Sequence, residues 1–186
     1  LETMKRSIIL WTSDLQSVSE AIYGAYPGDL PANTSAANQC HSYGSFYWLP
    51  ITAAAPTDSA DTYVFRSRMR SGVAQNTNYL LKQKESDPEL FSKSVAWVQE
   101  MFRQARICRP YYEGDFYPLT NYSLEEDAWM AYQMHRPDLN EGMVMVFRRH
   151  ECIDVERQFR LSGLDHDKTY GVEFLDTGHI EHLSGR

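Results

Sequence analysis

The chain has 186 residues, 42% of them hydrophobic and 13% aromatic, which is enough material for a packed core in one domain or two small ones. Charged residues make up 23%, so the composition is not that of a disordered chain. A net charge of −7 argues against nucleic acid or an anionic membrane as partner, and no apolar run reaches the roughly 18 residues that span a bilayer. In chain order, residues 7–13 read as an apolar, β-branched strand that delivers Asp14 at its end. Ser17 and Glu20 have capping-box spacing for a short helix, ended by Gly24 and Pro27. Residues 27–38 and 53–61 read as loops, 45–52 and 62–69 as strands, and 71–83 fits strand or helix. The clearest helix runs over 87–107, with Asp87 or Ser86 as cap and Pro88 at its first position. Phe91, Val95, Val98, Phe102 and Ala105 form its apolar stripe, and Pro110 stops it. Strands are then expected at 128–134, 142–149, 155–161 and 170–176, with turns at 137–142, 162–163 and 165–167.

The pattern thus changes from β/α to antiparallel β. Cys40, Cys108 and Cys152 lie far apart, which suits neither a disulfide framework nor a zinc site and fits small buried thiols in a reducing compartment. Leu1–Arg6 is charged and the apolar stretch after it is too short for a signal peptide, a reading that applies only if Leu1 is the natural start. His179 and His182, near Glu173 and Asp176, have no fixed geometry and are read as exposed loop residues rather than metal ligands. Asp115, Glu125, Glu126 and Asp127 are read as a solvated acidic face. There is no glycine-rich phosphate loop and no nucleophile elbow.

Several motifs fall in a telling order: Ser13-Asp14, Gln39-Cys40-His41-Ser42-Tyr43-Gly44, Phe46-Tyr47-Trp48-Leu49-Pro50 and Thr62–Ser67 come first. Arg109–Thr120, with its Gly-Asp-Phe-Tyr-Pro-Leu-Thr run, Tyr132–Asp138 and Glu141–Arg149 follow. Together they resemble the C-terminal part of the α-galactosidases (melibiases) of glycoside hydrolase family 36. The resemblance covers nearly the whole chain. It implies the last strands and helices of a (β/α)8 TIM barrel over residues 1–112, a linker over 113–127, and part of an antiparallel β-sandwich over 128–186, with the chain truncated at both ends. It implies a retaining glycosidase that hydrolyses terminal α-galactosides, uses no cofactor, and in full-length form is a homo-oligomer.

Retaining glycosidases pair a nucleophilic carboxylate with a general acid/base. The resemblance assigns the acid/base to Asp14. The family's nucleophile sits in a Lys-Trp-Asp motif that this sequence lacks, so the chain is expected to be an incomplete enzyme without turnover alone. Some members continue the acid/base motif with a further Asp and an Arg, where this chain has Ser17 and Ala21. Trp48, Trp11, Tyr43 and Arg66 are candidate sugar contacts, because aromatic faces suit the C–H face of galactose and N–H groups donate to hydroxyls. The competing reading of each is packing, since large aromatics on strands are more often core than platform. Two other functions stay open: a non-catalytic carbohydrate-binding or assembly module, and a related transglycosylase or α-N-acetylgalactosaminidase.

Overall fold

A computed structural model describes residues 35–47, 60–73, 75 and 77–186. The expected strand at 7–13, the short helix after it, most of the 27–38 and 53–61 loops and residues 48–52 lie outside the described residues. The described chain mixes helices with antiparallel sheets. Helix α1 spans Ser35–Phe46, α2 Thr62–Ser67, α3 Asn78–Ser86 and α4 Pro88–Cys108, followed by a 3₁₀ turn over Arg109–Glu113. Strands β1 (Asp115–Pro118), β2 (Trp129–Arg136) and β3 (Glu141–Arg148) form one sheet in that order, and β4 (Thr169–Phe174) pairs with β5 (His179–Ser184) in a second.

Expected elements change type in two places. The strand read over 62–69 is helix α2. Thr62, Tyr63, Val64 and Phe65 favour strands by propensity, but the Asp61 carboxylate accepts a bond from Val64 N–H at 2.8 Å and caps a helical turn. That turn buries Phe65 and Ser67 together. The described end of the loop read over 27–38 and the described start of the strand read over 45–52 belong to α1, which begins at Ser35 and runs through Phe46. Its buried residues Ala36, Gln39, Cys40, Tyr43 and Phe46 recur at helical spacing. The ambiguous stretch 71–83 resolves into isolated bridge positions at Gly72 and Gln75 and then α3.

Helix α4 follows its expected bounds within a residue. The Asp87 side chain accepts from Leu90 N–H at 3.0 Å, and Pro88 opens the first turn. Its buried face is rotated from the expected stripe: Ser94, Met101, Gln104, Ala105 and Cys108 are covered, while Phe91, Val95, Val98 and Phe102 are half-buried. Pro110 lacks an N–H and the helix tightens into the 3₁₀ turn. The chain then needs Gly114, where a Cβ would stand 2.2 Å from the His135 carbonyl oxygen.

Strand β1 was not anticipated; it falls in the stretch read as linker and pairs antiparallel with β2, Asp115 opposite His135. β2 and β3 pair from Trp129–Arg148 to Arg136–Glu141 through a turn in which Asn140 has φ 53°. Met130, Tyr132 and Met134 alternate toward the helices, with Met145 and Phe147 from β3. They meet Cys40, Tyr43 and Phe46 of α1, Phe65 of α2, Met101, Ala105 and Cys108 of α4, and Tyr112 in one core. The Phe46 ring lies 5.4 Å from Tyr112 and 5.2 Å from Tyr132.

The strand expected at 155–161 does not form. The run is held at its ends by side chains instead of a ladder: Trp129 Nε1–H donates to Asp154 O at 3.2 Å, and the Gln133 amide bonds Ser162 O and N–H, each at 2.8 Å. β4 appears as expected, and β5 pairs with it through a turn at Gly178. Gly163, with φ 71°, lies over the outer face of β2, and a Cβ there would sit 2.8 Å from His135 Nδ1. Gly163→Ala should therefore cost about 1–3 kcal/mol, read as a lower urea midpoint with unchanged slope.

Burial raises the ionisation of the Tyr112, Tyr132 and Tyr43 hydroxyls above the ordinary range. The unfolded chain releases these protons near pH 10 while the folded chain retains them. Stability should be full below pH 10 and fall above it. In a spectrophotometric titration of the 12 tyrosines, these three should ionise only with unfolding, in step with loss of circular dichroism.

Candidate functional site

Of the residues singled out from sequence, Asp14, Trp11 and Trp48 lie outside the described residues. Tyr43 is 1% exposed, and its hydroxyl donates to the Thr120 carbonyl. Its ring meets Phe116 edge-on at 5.5 Å. No face of Tyr43 is open to a sugar here, and its role in this structure is to tie α1 to the segment after β1. Arg66, on α2, is mostly covered. Nε and Nη2 donate to Gln104 Oε1 at 3.2 and 3.0 Å, and Nη1 pairs with the exposed Asp176 carboxylate. It thereby joins α2, α4 and the β4–β5 turn. Tyr43 and Arg66 thus serve different joints of the fold.

The most heavily organised polar site centres on a residue the sequence did not single out. Arg149 follows β3 and is 1% exposed. Its Nε donates to Gln39 Oε1 at 3.1 Å, Nη1 to Ser123 O at 2.8 Å and Glu125 O at 2.5 Å, and Nη2 to Cys40 Sγ at 3.4 Å. Gln39 Nε2 in turn donates to Tyr63 Oη at 2.9 Å and Ser67 Oγ at 3.0 Å. Cys40 Sγ donates to Ser123 O at 2.9 Å. The fork geometry of a guanidinium fills this set of acceptors as a lysine could not. Every acceptor is neutral and the side chain is buried, so these bonds position α1, β3 and the 121–127 loop and, through Gln39, α2. The sequence signal was faint: Arg149 closes the Glu141–Arg149 motif, but nothing in a strand-end Arg-Arg pair marks the second as buried.

Beneath α1, Arg70 is also buried, with Nε donating to Ser42 Oγ at 3.0 Å. Burial brings its ionisation down to about 10. Burial, and then the charge of Arg70, lower His41 from its ordinary value. On the opposite face of the sheet, His135 is buried beside Gly163 and Tyr117. All three cysteines are free and buried, in keeping with the expected thiols. His179 is exposed, 3.4 Å from Glu181 and stacked on Phe174. No group of three or more His, Cys, Asp or Glu among the described residues could hold a metal ion, and no described helix is long and apolar enough to cross a membrane. No family model, curated protein or solved structure matches the chain.

Replacing Arg149 by Ala should remove the donors to Gln39 Oε1 and the Glu125 carbonyl and leave Ser123 O with the Cys40 thiol alone. The expected loss is about 3 kcal/mol of folding stability, measured by urea unfolding, and Arg149→Lys should recover less than half of it.

Proposed function

We propose that these residues belong to a retaining α-galactosidase, to which they contribute the general acid/base Asp14. The ordered motif series carries this reading, and one observation supports treating the motifs as parts of a single unit. The Gln39–Gly44 stretch meets Arg149 of the Glu141–Arg149 stretch and, through Tyr43, Thr120 of the Arg109–Thr120 stretch. Tyr112 of that stretch donates to Met69 O at 3.0 Å, just beyond Thr62–Ser67. Segments far apart in sequence thus converge on one core. In this proposal α1–α4 belong to the outer layer of a (β/α)8 barrel, and β1–β5 begin an antiparallel β-sandwich seated against it.

The chemistry then follows from two carboxylates about 5–5.5 Å apart. A Lys-Trp-Asp carboxylate, supplied from outside these 186 residues, attacks the anomeric carbon while Asp14 gives its proton to the departing oxygen. Water then cleaves the galactosyl ester, with Asp14 taking the water's proton. Trp11 and Trp48 are the proposed ring contacts. Arg66 and Tyr43 hold the scaffold, through the partners described above.

In the native protein, peptide mapping should find Lys-Trp-Asp ahead of Leu1. Asp14→Ala should lower kcat on an aryl α-galactoside by about 10²–10⁴-fold. The 186-residue chain alone should show no turnover. Unchanged activity in Asp14→Ala would overturn the reading. Galactoside binding without turnover, lost in Trp48→Ala and kept in Asp14→Asn, would replace it with a carbohydrate-binding module.

A further inference from the structure

Residues 153–163 run along the outer face of β2, from Trp129 to His135, without secondary structure, and none of them is buried. Ile153 is 90% exposed and Val155 73%. The run is tied to β2 at two places. Near its start, Trp129 Nε1–H donates to Asp154 O, and the Phe159 ring meets Trp129 edge-on at 6.2 Å. At its end, the Gln133 amide holds both Ser162 O and Ser162 N–H. Among the described residues, no backbone group of 155–161 takes part in a hydrogen bond.

Beneath that end lies His135, 3% exposed. A Cβ on Gly163 would stand 2.8 Å from His135 Nδ1 and 3.0 Å from Tyr117 Oη, so Gly163 closes over both. Neither ring nitrogen of His135 has a hydrogen-bond partner among the described residues. An imidazole always carries at least one N–H donor, and burying it unmatched forfeits the bonds that water would give. Lifting the run breaks the bonds to Trp129 and Gln133, which water replaces, and returns the His135 nitrogens to solvent. It exposes little apolar surface and frees backbone. Segments of this kind open well below the cost of global unfolding. We propose that residues 153–163 are a strap that opens as a unit while the core stays folded. His135 poises it, and it gates access to His135, Gln133 and Tyr117 on the outer face of the sheet. The proposal is independent of the α-galactosidase reading.

Two hydrogens report the two ends of the strap: the Trp129 indole N–H and the Ser162 amide. In hydrogen exchange followed by NMR at constant pH, their opening constants should agree within about threefold and exceed those of the β2–β3 ladder amides about 100-fold or more. Sub-denaturing urea should change them little, because local opening exposes little surface. Gln133→Ala cuts the tie at one end, and should speed exchange of the Trp129 hydrogen at the other end about tenfold. His135→Leu removes the unmatched nitrogens and should slow both hydrogens about tenfold. Diethyl pyrocarbonate should carbethoxylate His135 in the folded chain at a rate that low urea leaves nearly unchanged. Circular dichroism checks that each variant folds, and the exchange and carbethoxylation readouts on the unaltered chain stand even if His135→Leu does not. Ser162 exchange with the urea dependence of the ladder amides would overturn the proposal. So would a Trp129 hydrogen indifferent to Gln133→Ala, a folded His135→Leu chain whose Ser162 amide exchanges no more slowly, or a His135 that reacts only as the chain unfolds.

Discussion

The guanidinium of Arg149 is the constraint on which the rest of the described structure depends. A cation taken out of water costs several kcal/mol unless its donors are matched, and here the match is drawn from two other parts of the chain. Gln39 and Cys40 come from α1, Ser123 and Glu125 from the loop ahead of β2, and the arginine itself follows β3. Gln39 extends the network to Tyr63 and Ser67 on α2. The acceptors are dipoles rather than a carboxylate, so the site rewards one arrangement of helices and sheet and penalises any other by leaving a charge dry. The aromatic core around Phe46, Tyr112 and Tyr132 supplies area. The arginine supplies registration, a use of buried polarity that apolar contacts perform poorly because they are non-directional.

A second set of joints seats the outlying hairpin. β5 is exposed along its whole length and a two-stranded ribbon is marginal alone. Arg66 reaches Asp176 at the hairpin turn, Leu175 packs at the margin of the core, and at the other end the Tyr170 hydroxyl donates to Asn140 Oδ1 at 3.1 Å and accepts from Asp165 N–H at 2.8 Å. The ion pair joins a mostly covered arginine to an open carboxylate and so contributes modestly. Docking rests on several such contacts together.

What the sequence made legible was periodic and capped. α4 shows an Asp-Pro start and a heptad-like apolar rhythm, and β2, β3 and β4 alternate between turn residues. α2 was misread because Thr, Tyr, Val and Phe in succession look like a strand, and the deciding bond, from Val64 N–H to Asp61, is local and small beside that propensity. α1 was missed because its buried face includes Asn38, Gln39 and Ser42, polar residues that carry no hydrophobic signal and become interior only when Arg149 and Arg70 arrive to bond Gln39 and Ser42. Segment 155–161 shows the opposite failure: its alternation is real, but the intramolecular neighbour that would complete a ladder is absent among the described residues, and side chains of β2 take its ends instead. Of the candidate site, only positions could be named in advance. Whether Tyr43 faces a ligand or the interior depends on Thr120 and Phe116, both more than 70 residues away.

This division bears on how the motif series should be weighed. Gln39, Cys40, Tyr43, Tyr112 and Arg149 belong to the motifs that suggested a glycosidase, and each has a packing or hydrogen-bonding task far from solvent. Residues with such tasks describe a scaffold, and a scaffold can host more than one reaction. The proposed reaction is argued from a much smaller set: the Asp14 carboxylate, two tryptophans, and a nucleophile proposed to lie elsewhere. Such sets can vary while the buried network stays as it is, since nothing that holds Arg149 depends on what Asp14 does. The buried network therefore speaks only to how these helices and strands are joined. For the chemistry the weight of the resemblance falls on Asp14 alone, the one residue of the series whose proposed task is proton transfer instead of cohesion.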